Sequence, residues 1–366
     1  MKVFFDIITN HTADVIDYRE GAYSYRSKKN YPYKDSSGTA FDDRDYVNKT
    51  FPAMDPATSF PYTPFLHAGD ENAKTPAWLN DVNLYHNRGD STFAGESSTY
   101  GDFIGLDDLF TERPEVVTGM GDIYKQWVDF GIDGFRIDTV KHVEYEFWKE
   151  FAAGVRTRLA KQGKKNFLMF GEAFDGNDQL LGSYTQKGML DSVFYFSQHF
   201  QAIRDVFAYA HDPKKQGGTD KVAQLWASRA TNWGKEPQDL GVGVAPNKMP
   251  INFLDNHDVA RFLFQAEGDV DALRNALTFL MTAQGIPCLY YGTEQDFRGG
   301  NDPSNRERLW DTGFNTAERD GNAYTTFGWL RRLIATRRTY PALRRGSMTV
   351  RWTTDHTSDE QDAGVM

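Results

Sequence analysis

Cysteine is all but missing: Cys288 is the single one in 366 residues, so no disulfide can form within the chain. Its place in the apolar run IPCLYYG makes it read as a small core residue, and the redox compartment stays open. Long apolar runs are missing too, which excludes a bilayer span. The opening MKVFFDIITNHTADVI lacks the basic head, apolar stretch and small-residue cleavage site of a secretory leader, and reads as a strand. Positive charge is in deficit: 41 Lys and Arg face 51 Asp and Glu, a net charge of −10. With no compensating basic stripe, that balance argues against nucleic acid or an anionic membrane as partner and for a neutral or cationic ligand. There is no internal repeat and no low-complexity tract.

What the chain does have is length enough for one large domain plus a subdomain, and 14% aromatic residues. The aromatics suit flat apolar platforms for sugar rings, and equally suit core packing. After the first strand, residues 11–111 are rich in Tyr, Asp, Asn, Gly, Ser and Pro without helical periodicity; a structureless loop of that length is rare, so an inserted subdomain with irregular strands is expected. From Pro114 the pattern turns helical, with proline at the first position and a glycine stop. Strands are then expected at 132–138, 166–172, 189–196, 249–255 and 286–292, alternating with helices at 144–161, 197–211, 220–232, 269–283 and 323–339. Such alternation implies an α/β protein with a parallel sheet, and this many units favours a (β/α) barrel. After Arg345 the tail turns β-like and then polar.

Three apolar runs each end in an acid: GFRID in Asp138, FLMFGE in Glu172 and INFLDNHD in Asp258. Carboxylates at the C-terminal ends of buried strands are where a barrel assembles an active site. Arg136 and Asp138 share a strand face, so the guanidinium favours an ionised, nucleophilic carboxylate, although the pair could simply lock a barrel layer. Apolar surroundings and neighbouring acids are expected to raise Glu172 and keep it protonated, as a general acid requires; a salt-bridge role is the plainer alternative. His257 can donate to a substrate hydroxyl or be a satisfied strand-end histidine.

Together, DIITNH (Asp6 to His11), GFRIDTVKH (Gly134 to His142), FGEAF (Phe170 to Phe174) and FLDNHD (Phe253 to Asp258) resemble, in order, the four signature regions of the α-amylase family, glycoside hydrolase family thirteen. GLDDLF (Gly105 to Phe110) is similar to its fifth region and GGNDPSNRE (Gly299 to Glu307) to the stretch after its eighth strand. The resemblance implies an eight-stranded (β/α) barrel of the TIM type with an insert between strand 3 and helix 3. It further implies Asp138 as nucleophile, Glu172 as acid/base and Asp258 as transition-state stabiliser. His11, Arg136 and His257 would hold the sugar at the cleavage point, Lys141 and His142 would line the leaving-group side, and Asp302 and Arg306 would bind sugars on the non-reducing side. For the last two, a loop ion pair is a fair competitor. Asn10, Asp108 and the backbone carbonyl of His142 match ligands of a structural Ca²⁺ that would tie insert to barrel; the competing reading has Asn10 capping a turn and Asp108 solvated. Arg136 and Asn256 suit chloride, which the sequence leaves undecided.

Against that family the chain reads as cut at both ends, with strands 3 to 8 present, residues 1–10 and 112–345 forming an incomplete barrel, 11–111 the insert and 346–366 the start of a truncated β domain. Unpaired edges are then expected near Val3 and Ile286, with weakened or absent activity. The implied function is retaining hydrolysis of α-1,4-glucosidic bonds in starch-like glucan by a secreted or periplasmic protein, monomeric at full length. The alternatives are a transglycosylase of the same family, such as a cyclodextrin glucanotransferase, and a non-catalytic carbohydrate-binding relative.

Overall fold

The computed structural model describes every residue except 358, 359, 361 and 365. It divides into two compact units: Met1–Phe174 with Gly188–Leu190 and Gln238–Gly243, and Asp175–Lys187 with Asp191–Pro237 and Val244–Met366.

In the first unit the order is β1 (Phe4–Ile7), the insert, α1 (Pro114–Phe130), β2 (Gly134–Ile137), α2 (Tyr145–Lys161) and β3 (Leu168–Gly171). The strands pair in parallel, Phe4 opposite Gly134 and Gly134 opposite Leu168, through to Ile7, Ile137 and Gly171. Parallel neighbours need long crossovers, which the insert with α1, and then α2, supply. Helix α1 starts on Pro114 and stops at Gly131, whose φ of 113° is the left-handed conformation that glycine adopts without penalty. One sheet face, with Phe135, Ile137 and Met169 fully buried, packs under the helices: Phe135 lies 5.7 Å from Tyr124 of α1, which lies 5.9 Å from Phe151 of α2. Gly134 is obligatory, because a Cβ there would sit 2.1 Å from the Phe4 ring. The opposite face carries Arg136 and leads to Asp138 and Glu172. Among the described residues β1 pairs on one side only.

The insert is built as expected from short irregular pieces: Ile16–Tyr18 pairs antiparallel with Pro64–Leu66, and Tyr33–Lys34 with Ala40–Phe41. Its core is aromatic, with Tyr33, Phe51 and Phe110 buried under Phe41, Tyr46 and Phe60. Two backbone bonds of 2.9 Å, Thr12 N–H to Asp107 and Leu109 N–H to Asn10, bind its end to the segment leaving β1.

The second unit contains a short strand Ser192–Val193, α3 (Asp220–Asn232), β4 (Ile251–Phe253), α4 (Val270–Thr282), β5 (Ile286–Cys288) and α5 (Thr326–Thr339). β4 and β5 are parallel, Ile251 opposite Ile286, and Phe194 bridges Ile251 on the other side. The strand expected over 189–196 is shorter, because the chain turns helical at Phe196 and continues through a π-helical stretch, His199–Phe207. Asp269 caps α4 by accepting from the Asp271 and Ala272 amides. Cys288 is half-buried rather than a full core residue, and burial pushes its thiol up to about 11. In the tail no strand occurs among the described residues of 346–366; instead the Thr354 amide donates to Thr219 Oγ1 and the Thr354 carbonyl accepts from the Asp220 amide, both at 3.0 Å, and positions 358, 359, 361 and 365 of this tail lie outside the described residues. Among the described residues no helix is long and apolar enough to cross a membrane.

Candidate active site

The register fixes the first pair of acids. Ile137 lies opposite Gly171, so the next residues, Asp138 and Glu172, leave neighbouring parallel strands side by side on one face. Each is anchored by backbone: the Asp138 amide donates to Ile7 O at 2.9 Å and the Glu172 amide to Ile137 O at 2.7 Å. Adjacent parallel strands stand about 4.8 Å apart, so the two acids start from neighbouring backbone positions on the same face.

Arg136 places a positive charge on the same face. Its Nη1 donates to Asp138 Oδ1 and, at 2.9 Å, to Asp6 Oδ1, while its buried Nη2 has no hydrogen-bond partner among the described residues. The charges of Asp138, Asp6 and Glu172 hold this guanidinium above its ordinary range against the opposing effect of burial. Asp6 is a site residue the sequence reading passed over. The signal was the pairing of DIITNH with GFRID, which sets Asp6 opposite Arg136.

Glu172 is buried, and its Oε2 accepts from the Thr139 amide at 3.2 Å. Thr139 achieves this in the left-handed region, φ 52°, uncommon for a β-branched residue and typical of strain kept at functional turns. The Val140 amide then reaches Glu172 O at 2.8 Å.

Both histidines expected in this unit are buried. Burial lowers His11, against the charge of Asp138, and the ring lies flat on Phe103 at 5.0 Å. The Asn10 side-chain amide meets His11 Nδ1 at 3.2 Å, so the neutral ring carries its proton on Nε2. Burial lowers His142 to about 4, and its Nδ1 donates to Ser98 O at 2.7 Å. Lys141 does not stand loose beside it: its Nζ donates to Phe174 O at 2.6 Å, tying the loop after β2 to the loop after β3.

The metal reading can be tested on the donors. Among the described residues no group of three or more His, Cys, Asp and Glu is arranged for a metal. The expected set, however, is one amide oxygen, one carboxylate and one carbonyl. Asn10 and Asp108 are buried, so Asp108 is not the solvated acid of the competing reading. Asp108 Oδ2 is bonded to His86 at 2.6 Å, and burial pushes this carboxyl up to about 8 against the pull of His86. Asn10 Oδ1 and Asp108 Oδ1 accept no hydrogen bond among the described residues. Hard, uncommitted oxygens on these two buried side chains are donors of the class a calcium ion takes. His86, which also meets Glu112 at 2.9 Å, was not foreseen, since a buried histidine between two acids has no local sequence pattern.

The second unit holds the remaining candidates. Asp258 follows β4, its amide donating to Asn256 Oδ1 at 2.8 Å and its carboxylate lying 3.1 Å from His257 Nε2. Asn305 clips this loop by donating to the His257 and Val259 carbonyls, both at 2.9 Å. Asp302 and Arg306 form the exposed ion pair weighed as their alternative role, and the charge of Asp258 also acts on Arg306.

Comparison with known proteins agrees with this construction. Residues 1–335 match the family model "Alpha amylase, catalytic domain". An α-amylase of Streptomyces lividans is 46% identical over 326 residues, covering 85% of this chain and 33% of the relative. A cyclomaltodextrin glucanotransferase of Bacillus sp. strain 1011 is 32% identical over 311 residues, covering 83% and 39%. The solved structure of an Anoxybacillus α-amylase superposes with a TM-score of 0.61 at 30% identity, over 76% of this chain and 57% of that one. The chain thus spans about one third of the length of the Streptomyces relative. By its matched span and its parallel strand-helix units it belongs to the α-amylase catalytic-domain family, with an incomplete (β/α) barrel as its fold.

Proposed function

We propose that this chain carries the catalytic groups of a retaining hydrolase of α-1,4-glucans. The observation that carries the reading is the register setting Asp138 beside Glu172 with Arg136 bonded to the former. In the first step an Asp138 oxygen bonds to the anomeric carbon as the glycosidic C–O bond breaks, and the Glu172 proton goes to the departing oxygen. In the second step Glu172 takes a proton from water, the water oxygen bonds to the same carbon, and the Asp138 ester breaks. Two inversions give net retention. Asp258 is assigned to sugar hydroxyls that it binds more tightly in the flattened oxocarbenium-like state than in the chair. His11, with its proton on Nε2, and His257 donate to hydroxyls; Lys141 and His142 line the leaving-group side, and Asp302 and Arg306 the non-reducing side.

Calcium, when bound, would supply fixed positive charge among Asn10 Oδ1, the Asp108 carboxylate and the His142 carbonyl, joining the insert to both strand ends. The resemblance to the family supports a secreted or periplasmic location as part of this reading.

The similarity to the Bacillus cyclomaltodextrin glucanotransferase supports a second reading in which a sugar hydroxyl replaces water in the second step. Incubation with soluble starch separates the two: linear maltooligosaccharides released first as α-anomers by NMR are expected. Cyclic products would favour transfer, and β-anomers released first would overturn the retaining mechanism.

A further inference from the structure

Away from these acids the first unit has a cleft of about 690 Å³ where the insert meets the start of α1. Its floor is Trp78, half-buried, with its six-membered ring laid directly on the helix at Gly119. A Cβ at position 119 would stand 2.5 Å from Trp78 Cζ2, so only glycine lets the indole lie there. Glycine inside a helix costs about 1 kcal/mol relative to alanine, and seating the indole is the compensation the packing offers. Around it stand the Asn48 amide and the Thr50 and Thr118 hydroxyls, and neither these groups nor Trp78 Nε1 makes a hydrogen bond to the described residues. The lining also carries Lys49 and Glu115, the latter engaged at 3.6 Å by Arg113.

An aromatic face with amide and hydroxyl groups at its edge suits a ligand that is apolar on one face and hydroxylated at its edge. We propose that this cleft is a second, non-catalytic binding site for α-linked glucan, with one glucose ring on Trp78 and its hydroxyls met by Asn48, Thr50 and Thr118. The inference rests on the glucan reading, and its test is independent of turnover.

The experiment uses the full chain with Glu172→Gln to prevent cleavage, and measures adsorption to starch granules and Trp fluorescence on adding maltoheptaose. Trp78→Ala is expected to weaken adsorption about tenfold, equal to roughly 1.4 kcal/mol, with Trp78→Phe retaining most of it. Gly119→Ala, which keeps the indole but unseats it, is expected to weaken adsorption as well, and the exposed double change Thr50→Ala/Thr118→Ala serves as a variant that should not disturb folding. With Glu172 intact, Trp78→Ala should leave kcat/KM on a short chromogenic maltotrioside unchanged. A parent that does not adsorb, adsorption indifferent to all these changes, or an equal loss on the short substrate would overturn the site. Failure to cleave any glucan would instead overturn the catalytic reading and leave the adsorption result standing on its own.

Discussion

The Thr139 amide donates to Glu172 Oε2 at 3.2 Å from a left-handed residue, so a strained turn after β2 is what positions the acid after β3. Sequence alone delivers Glu172 to a strand end; this bond orients its carboxyl relative to Asp138.

A general acid of this kind contributes about 10²- to 10⁴-fold to the rate, so Glu172→Gln should lower kcat on starch by that range. The loss should be much smaller on maltosyl fluoride, whose leaving group needs no proton. Equal losses on both substrates would remove Glu172 from the acid role.

Much of this arrangement was readable beforehand, and the reason is local. GFRID and FLMFGE are short apolar runs closed by an acid, and the side-chain period of two carries Arg136 and Asp138 to one face without knowledge of the rest of the fold. Asp6 and Thr139 were not readable in the same way. Asp6 matters through its register against Arg136, and Thr139 through a backbone conformation its side chain disfavours. The insert was legible only as a kind of segment, since its aromatic core joins Tyr33 to Phe51 and Phe110 across irregular chain that has no period.

Arg136 serves two carboxylates with one nitrogen, Nη1 reaching both Asp6 and Asp138. A lysine preserves the charge but not the planar fork. Arg136→Lys should therefore lower kcat about ten- to a hundredfold, or roughly 1.4 to 2.7 kcal/mol in the barrier, with little change in KM. Steady-state kinetics on a maltooligosaccharide would check it, and an unchanged kcat would reduce the pair to a structural lock.

If Asn10 and Asp108 hold calcium, ligand linkage raises the melting temperature with free metal, by about 2.7 kcal/mol of stability at a hundredfold excess over Kd. Scanning calorimetry with Ca²⁺ and with chelator should show that shift in the parent and its loss in Asp108→Asn. Magnesium, which demands a tighter octahedron, should substitute poorly.

Beside the one-sided edge of β1 lies an exposed apolar band. Trp127 contacts Phe5 at 5.0 Å and Phe130 at 5.9 Å, and Phe130 is 78% exposed. Unpaired strand edges flanked by apolar surface invite pairing with another chain. The chain is expected to self-associate with rising concentration in sedimentation velocity runs, and Phe130→Lys to reduce that association without lowering the melting temperature.

His199, in the second unit, lies stacked on Phe253 at 5.0 Å, and neither ring nitrogen has a well-formed hydrogen bond. Burial pushes its imidazole down to about 4, with the charge of Arg204 adding to the shift and the Leu254 backbone and Asp205 opposing it. The folded protein therefore binds this proton less readily than the unfolded chain, whose histidine titrates near 6.5. The stability this residue confers is complete above the unfolded value and drains away as pH falls from there toward 4. Over that interval the loss amounts to about 3 kcal/mol at 1.36 kcal/mol per unit. Urea unfolding at a series of pH values should show stability falling through this window. His199→Phe, which keeps an aromatic ring against Phe253 and cannot take up a proton, should flatten that part of the curve; an unaltered slope would assign the acid sensitivity to other groups.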